Sequence, residues 1–276
     1  MNKSFKQTCI DLRLKDCTLN EIVKLTRRSK TSVYFHIKHL QLSEEKKKTI
    51  ARESSVRAAL LAGKRKGVAL RPFKKFIIWS PDLVLLVAHF MFDGRLAKSC
   101  EYNNRSLALI RRVETLMKLV YDFSPTRYLN IDTGVMRTSY HNVAMANFFK
   151  LKAEDLLNEV ANLPLDCQKE FIRAFFDDEG SMDFRLNRNK RRVRGYQDDK
   201  KVLSLIKELL SNFAIEATEQ GRNEVVISGK ENLIKFREEI NFSKGVRINP
   251  NRTNSLWKKN LEKRKLLDMA IDSFKK

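Results

Sequence analysis

The chain has 276 residues, 55 of them Lys or Arg and 33 Asp or Glu, giving a formal net charge of +22 and a pI near 9.9. A surplus this large attracts nucleic-acid phosphates, and it comes with no apolar run near 18 residues and no signal peptide, so the chain reads as an intracellular protein with no membrane span. Cys9, Cys17, Cys100 and Cys167 lie far apart without metal-ligand spacing, and no phosphate loop or dinucleotide glycine pattern occurs, which argues against a zinc module and a nucleotide fold.

Residues 1–80 hold 20 basic and 6 acidic side chains, a net +14. A first helix is predicted over Phe5–Leu14. Thr18-Leu19-Asn20-Glu21 then forms a capping box that opens a second helix with Ile22, Val23 and Leu25 inward. A basic turn, Arg27-Arg28-Ser29-Lys30, leads to a third helix over Thr31–Leu40. Val33, Ile37 and Leu40 have core spacing there, leaving Thr31, Ser32, Tyr34 and Lys38 exposed. Residues 1–43 therefore read as an all-α helix-turn-helix module with Thr31–Leu40 as the recognition helix. Small bundles also serve as protein-contact modules, but the basic turn favours DNA. On the same helix, His36 and His39 suit phosphate contact or plain exposure better than metal binding. Residues 44–79 read as a basic helical linker, with a helix over Glu44–Leu61, the run Gly63-Lys64-Arg65-Lys66-Gly67 and then Arg71-Pro72-Phe73-Lys74-Lys75.

The rest of the chain is written twice. Leu83–Gly94 (LVLLVAHFMFDG) and Phe171–Gly180 (FIRAFFDDEG) are apolar helices ending in an acid and a glycine, Asp93-Gly94 and Glu179-Gly180. Ser80-Pro81-Asp82 opens one and Pro164-Leu165-Asp166 the other. Ala88 and Ala174 occupy equivalent positions, so the two helices can cross closely and bring the two acids side by side. His89, inside the first helix, reads as a packed core histidine. After each acid come a strand pair, a helix (Ser106–Tyr121 or Asp198–Phe213) and a hairpin. The first hairpin, Thr126–Tyr140, turns at Asp132-Thr133-Gly134, and the second, Ala214–Ser228, at Gln220-Gly221-Arg222-Asn223. A closing helix ends each half, Asn142–Phe149 and Glu231–Ile240. The first repeat spans residues 80–163 and the second 164–252, with a basic helix over 253–276.

Aligned on nine letters, LVAHFMFDG and IRAFFDDEG resemble the signature of the LAGLIDADG homing endonuclease family in its single-chain, two-motif form. The resemblance covers about Ser80 to Lys276 and includes NFFKLK and INFSKGVRINP after the last helices. It implies an α/β (α+β) fold in which a pseudo-two-fold pair of αββαββα repeats forms a saddle on double-stranded DNA. It also implies a monomeric site-specific endonuclease, with Asp93 and Glu179 as catalytic ligands to Mg²⁺ that cut across the minor groove. Lys152, Lys244 and Arg247 lie near the family's active-site lysine position, with Lys152 and Lys244 the candidates for catalysis. Asn103 and Gln197 stand where the family has a polar side chain near the metals. Two features depart from the pattern. Phe92 replaces a small residue beside Asp93, and Met91 replaces an acid or glycine. The first strand pair is also short, since Asp93 to Asn103 spans 10 residues against 18 from Glu179 to Gln197.

Within the second repeat, Arg185, Arg188, Lys190, Arg191, Arg192 and Arg194 crowd one predicted hairpin. An Arg-rich β-ribbon suits base edges and phosphates of a major groove. Arg185, Arg188, Lys190, Arg192, Arg194, Gln197, Asn103 and Arg137 are the expected DNA contacts of the saddle. Because the first repeat offers only Arg95, Lys98 and Arg105 on its short strand pair, sequence readout is expected to be concentrated on the second. Two other functions fit the same resemblance: a non-cleaving DNA-binding transcriptional regulator, and an RNA-splicing maturase.

Overall fold

A computed structural model describes residues 4–65, 71–221, 223–248, 257 and 260–275. It divides into two compact units, residues 1–69 and 70–276. The basic run Gly63–Gly67 and the turn residue Arg222 lie partly or wholly outside the described residues. Among those residues, no helix is long and apolar enough to cross a membrane.

In the first unit, α1 (Phe5–Leu14), α2 (Leu19–Thr26) and α3 (Lys30–Ile37) pack around Cys9, Ile22, Val33 and Ile37, and α4 (Glu44–Arg65) follows. The capping box forms as its spacing predicts. The Glu21 N–H donates to Thr18 Oγ1 (3.3 Å), and the Thr18 N–H donates to Glu21 Oε2 (2.6 Å). Arg27, left-handed at φ 52°, ends α2, and Ser29 caps α3. The third helix is thus shorter than the predicted Thr31–Leu40, and Leu25, expected inside, is 64% exposed. A bundle this small has room for one apolar side chain per helical turn at its centre, and Ile22 takes that place on α2. Thr31, Ser32, Tyr34 and Lys38 are all exposed.

The second unit begins its repeats with α5 (Pro81–Phe92), capped by Ser80 Oγ. Strands β1 (Gly94–Leu96) and β2 (Cys100–Asn104), helix α6 (Leu107–Met117), strands β3 (Thr126–Leu129) and β4 (Met136–Tyr140) and helix α7 (Val143–Glu159) complete the first half. The second half follows the same order: α8 (Leu165–Asp178), β5 (Gly180–Arg185), β6 (Lys190–Tyr196), α9 (Lys200–Ser211), β7 (Ala217–Gln220), β8 (Glu224–Ser228) and α10 (Lys230–Lys235), which runs into a π-turn over Phe236–Ile240. Each half builds one antiparallel four-stranded sheet, β1-β2-β4-β3 and β5-β6-β8-β7. The closing helix of the first half is longer than predicted. The C-terminal helix, α11 (Lys263–Asp272), carries a buried stripe of Leu266, Leu267, Ala270 and Ile271, and most of residues 253–262 of the predicted basic helix lie outside the described residues.

Helices α5 and α8 pack along each other at the centre of this unit, with Ala88 and Ala174 both fully buried. The apolar faces of both sheets close on the same core, which includes Tyr102, Phe149, Phe171, Val193, Ile206 and Phe236. Strand register places each motif end. The Asp93 carbonyl accepts from the Asn103 N–H (3.1 Å), and the Glu179 carbonyl accepts from the Tyr196 N–H (3.2 Å). Tyr196 is therefore the counterpart of Asn103, and Gln197 that of Asn104. The alignment predicted from residue counts is one residue out, because hairpins of unequal length hide the ladder. The first hairpin is indeed the shorter one, with β1 of three residues against six in β5.

Glycine is dictated at both motif ends by close approach. A Cβ on Gly94 would lie 2.3 Å from the Phe90 carbonyl oxygen, and one on Gly180 2.3 Å from that of Phe176. Backbone cannot yield as a flexible side chain can. Gly94→Ala should therefore destabilise the fold by about 1–3 kcal/mol, read as a lower urea midpoint at unchanged slope, whereas Gly134→Ala, with open space around it, costs only turn strain.

Candidate functional site

Asp93 and Glu179 occupy the C-caps of α5 and α8, at the negative end of each helix dipole. Both side chains are half-buried. Burial, then the neighbouring charges of Asp178 and Glu179, pushes the Asp93 carboxyl up to about 7. Burial and Asp178 push Glu179 up to about 7 as well. Burial and the charge of Asp178 thus oppose ionisation of both predicted acids, and the charge of Glu179 adds to the effect on Asp93.

Between the helices lies a polar cluster. The Asp178 carboxylate, with no exposed surface, bonds His89 Nδ1 (2.8 Å) and accepts from the Tyr102 hydroxyl (2.6 Å). Asn104 Nδ2 donates to Asp93 Oδ2 (2.6 Å) and lies 3.3 Å from the Tyr102 oxygen. A chain of contacts therefore runs from His89 through Asp178, Tyr102 and Asn104 to Asp93. Burial alone would lower the His89 pKa, but the Asp178 charge overrides it and raises it. Asn104 is the polar residue at the acid; the predicted Asn103 points to the opposite face of the sheet, directly across from Arg137.

The pseudo-two-fold equivalents of this cluster are apolar. An offset of 86 residues, read from Asp93 to Glu179, makes Phe175 the counterpart of His89 and Phe92 the counterpart of Asp178. Their rings meet edge-on at 5.4 Å. Gly195 stands in place of Tyr102, and a Cβ there would meet the Phe175 ring at 2.3 Å. Phe92, a departure from the family pattern, is thus half of an aromatic pair that mirrors Asp178 and His89.

The cation beside the acids is Lys263. Its amine, on a side chain buried against α8, donates to the carbonyls of Phe176 (3.1 Å), Asp177 (2.8 Å) and Gly180 (2.7 Å), and its charge works against the upward shift that burial imposes on Asp93, Glu179 and Asp177. Lys152 does not take this place. It pairs with Asp155 (2.9 Å) and lies 5.3 Å from the Trp79 ring, before the N-cap of α5, while Asp93 is at the other end of a helix about 18 Å long. Lys244 is exposed, and only its neighbour Ser243 reaches the motif, through an N–H to Asp177 Oδ1 (2.8 Å). Arg247 pairs outward with Glu262 and the Asn260 carbonyl. Lys263 is not among the predicted residues; the signal that could have found it is a lysine on the apolar stripe of its helix with Leu266, Leu267, Ala270 and Ile271.

Strand alternation turns Arg185, Lys190, Arg192, Arg194 and Tyr196 to the face of the second sheet away from the helices. Arg188 is exposed at the hairpin tip, where Asn189 adopts φ 49°. Arg191 faces the helices instead. It donates to Ser273 Oγ (2.6 Å) and stacks on Phe274 at 4.8 Å, so it docks α11. The Gln197 amide oxygen accepts the Asp198 N–H at the start of α9 (2.9 Å). In the first sheet, Arg137 stands with Asn103 on the outer face, 5.3 Å from the Tyr128 ring and 3.7 Å from Glu101.

Residues 166–241 match the family model described as the LAGLIDADG-like domain. The chain carries a LAGLIDADG-like domain. Among solved structures it is similar to mesophilic variants of the homing endonuclease I-DmoI at 14% identity, over 58% of this chain and 95% of that one, with a TM-score of 0.44. It is similar to I-DmoI in complex with DNA and Mn at 16% identity, over 58% and 96%, with a TM-score of 0.43. It is also similar to full-length DUF199/WhiA from Thermatoga maritima at 16% identity, over 72% and 63%, with a TM-score of 0.47. No curated protein matches the chain. The match spans the second motif of the LAGLIDADG-like domain and its sheet, and the same element order recurs in the first half.

Two outcomes follow from the site. Lys263→Met leaves carbonyls of Phe176, Asp177 and Gly180 without their donor, which should cost about 3 kcal/mol in urea unfolding. Asp93 and Glu179 hold protons more tightly folded than unfolded, so the stability they contribute is complete below their unfolded pKa of about 4 and lost as pH rises through about 7. Asp93→Asn should therefore raise the Tm at about pH 8 but not at about pH 4; a gain of about 1 kcal/mol would appear as roughly 2–4 °C.

Proposed function

We propose that this protein binds duplex DNA on the outer faces of its two sheets and cleaves it with a divalent cation held by Asp93 and Glu179. The observation that carries this reading is the pair of half-buried carboxyls at neighbouring helix ends, each pushed up to about 7. Two such groups cannot both ionise cheaply, and a hard cation between them removes the conflict. The donor set fits Mg²⁺, which takes one or two carboxylates and completes its shell with water and phosphate oxygens. Among the described residues no group of three Asp, Glu, His or Cys side chains stands ready to hold a metal, so an all-protein cage is not the mode.

When bound, the cation would supply an activated water and neutralise charge on the leaving oxygen. The chain's own residues do the rest. Asn104 fixes one Asp93 oxygen. Lys263 holds the turn under Glu179 and tempers the local negative charge. Arg137, Arg188 and Lys190 are exposed or half-exposed cations on or beside the outer faces, suited to phosphates. The net +14 of residues 1–80 supports a second contact through the N-terminal helices, with Thr31, Ser32, Tyr34 and Lys38 outward as a helix-turn-helix would have them.

One feature favours a second reading, a DNA-binding regulator that does not cut. Phe92 makes one side of the motif junction apolar, and Asn104 already engages an oxygen of Asp93. Incubation with randomised duplex DNA and Mg²⁺, scoring bound and cut molecules, separates the two. Metal-dependent double-strand cutting is expected, abolished by Asp93→Asn or Glu179→Gln while affinity stays within a few-fold. Binding without cutting favours the regulator, and the absence of both binding and cutting rejects both readings.

A further inference from the structure

The outer face of the second sheet carries an ordered set of guanidinium and carboxylate groups. Register sets Asp183 directly opposite Arg192 and Ser181 opposite Arg194. The Asp183 carboxylate accepts from Arg185 through Nε (2.6 Å) and Nη2 (2.8 Å), and from Arg192 through Nε (2.9 Å). Arg194 Nη1 stands 3.8 Å from it. Glu224 engages Arg194 through Nε and through Nη2 (2.8 Å), with the guanidinium 5.0 Å from the Tyr196 ring. Arg192 Nη1 donates to Gln220 (3.1 Å).

Arg185 and Arg194 are held along the Nε–Nη2 edge and Arg192 through Nε and Nη1. Among the described residues this leaves Nη1 of Arg185 and Nη2 of Arg192 without a hydrogen bond, and Nη1 of Arg194 with only the longer ion pair to Asp183. The three side chains keep between 16% and 24% of their surface exposed, enough for edge-on contact but not for free swinging. Two carboxylates offset most of the charge of these three arginines, so the trio pulls on phosphate less than the exposed cations Arg188 and Lys190 at the hairpin tip do. A guanidinium of fixed plane suits a partner with acceptors in fixed positions, as guanine offers at N7 and O6. A phosphate, approached from any side, gains little from such ordering.

We infer that Asp183 and Glu224 are specificity-determining positioning residues, holding Arg185, Arg192 and Arg194 as preset forks for base edges instead of phosphates. The inference rests on the duplex-binding reading above but not on cleavage. Asp183→Asn keeps the shape and removes the charge, releasing Arg185 and Arg192 to phosphates. Measured on randomised duplex DNA without metal, this variant should bind the unselected pool several-fold more tightly and lose preference at the bases under β5 and β6. Its log affinity should also fall more steeply with log salt, by about 0.9 for each arginine newly on a phosphate. A purely structural staple would instead leave the preference profile and salt slope as they are, or weaken all sequences uniformly, and either result overturns the inference. If Asp183→Asn does not fold, Glu224→Gln frees Arg194 alone and carries the same criteria at the bases it faces. A wild-type chain that binds no duplex overturns the binding reading and this inference together, whereas wild-type preference unchanged in both variants overturns the inference alone.

Discussion

Asp178 is a carboxylate with no surface in water, set between the two central helices, and the packing around it follows from that position. An unpartnered buried carboxylate costs several kcal/mol or takes up a proton. Here the imidazole of His89 and the hydroxyl of Tyr102 reach it from the first half of the unit. The contact crosses the pseudo-two-fold boundary, so each half supplies what the other requires. From it the order extends through Asn104 to Asp93 at one helix end, while at the other Lys263 and Ser243 separately hold the turn that carries Glu179. The two acids are held in place by groups that never need to touch a ligand.

Negative charge is concentrated at this junction, with Asp93, Asp177, Asp178 and Glu179 at the negative ends of two dipoles. Different partners manage different members. Asp178 has its imidazole, and Asp177 has the Ser243 N–H and the field of Lys263, which work against the desolvation that raises its pKa. Among the described residues Glu179 has no hydrogen bond to its carboxylate, and Asp93 has one. Of the four, Asp93 and Glu179 are the ones whose carboxyl pKa values are raised to about 7 while their side chains still reach the surface. That is the pattern expected where a protein leaves a counter-charge to be supplied from outside.

Much of this architecture was legible in the sequence. Capping residues, apolar periodicity and the recurrence of an acid before glycine located the helices, the sheets and both motif acids, because those signals are local. What was not legible depends on register and on contacts between halves. Residue counting paired Asn103 with Gln197, whereas the strand ladder pairs Asn104 with Gln197. Arg191 reads as one more arginine in a basic hairpin, yet alternation turns it onto α11. The six cations of that hairpin were legible as a basic cluster suited to DNA, but not that Asp183 and Glu224 stand among them on the same face. The expected imbalance between the halves is smaller in charge than in strand length. Lys152 and Lys244 were chosen by proximity in sequence to family positions, and Lys263 arrives from a helix more than 80 residues beyond the motif.

The pairing of Phe92 with Phe175, opposite Asp178 with His89, bears on the history of the duplication. Two copies of the second half brought together would set Asp178 against a phenylalanine ring, with a glycine where the tyrosine hydroxyl should be. Two copies of the first would set His89 against Phe92, burying an imidazole without its carboxylate. Either symmetric assembly would desolvate a polar group for nothing. The two halves have become lock and key for each other. Making the two halves identical would require several buried positions to change at once, because each half is packed for the other and not for a copy of itself.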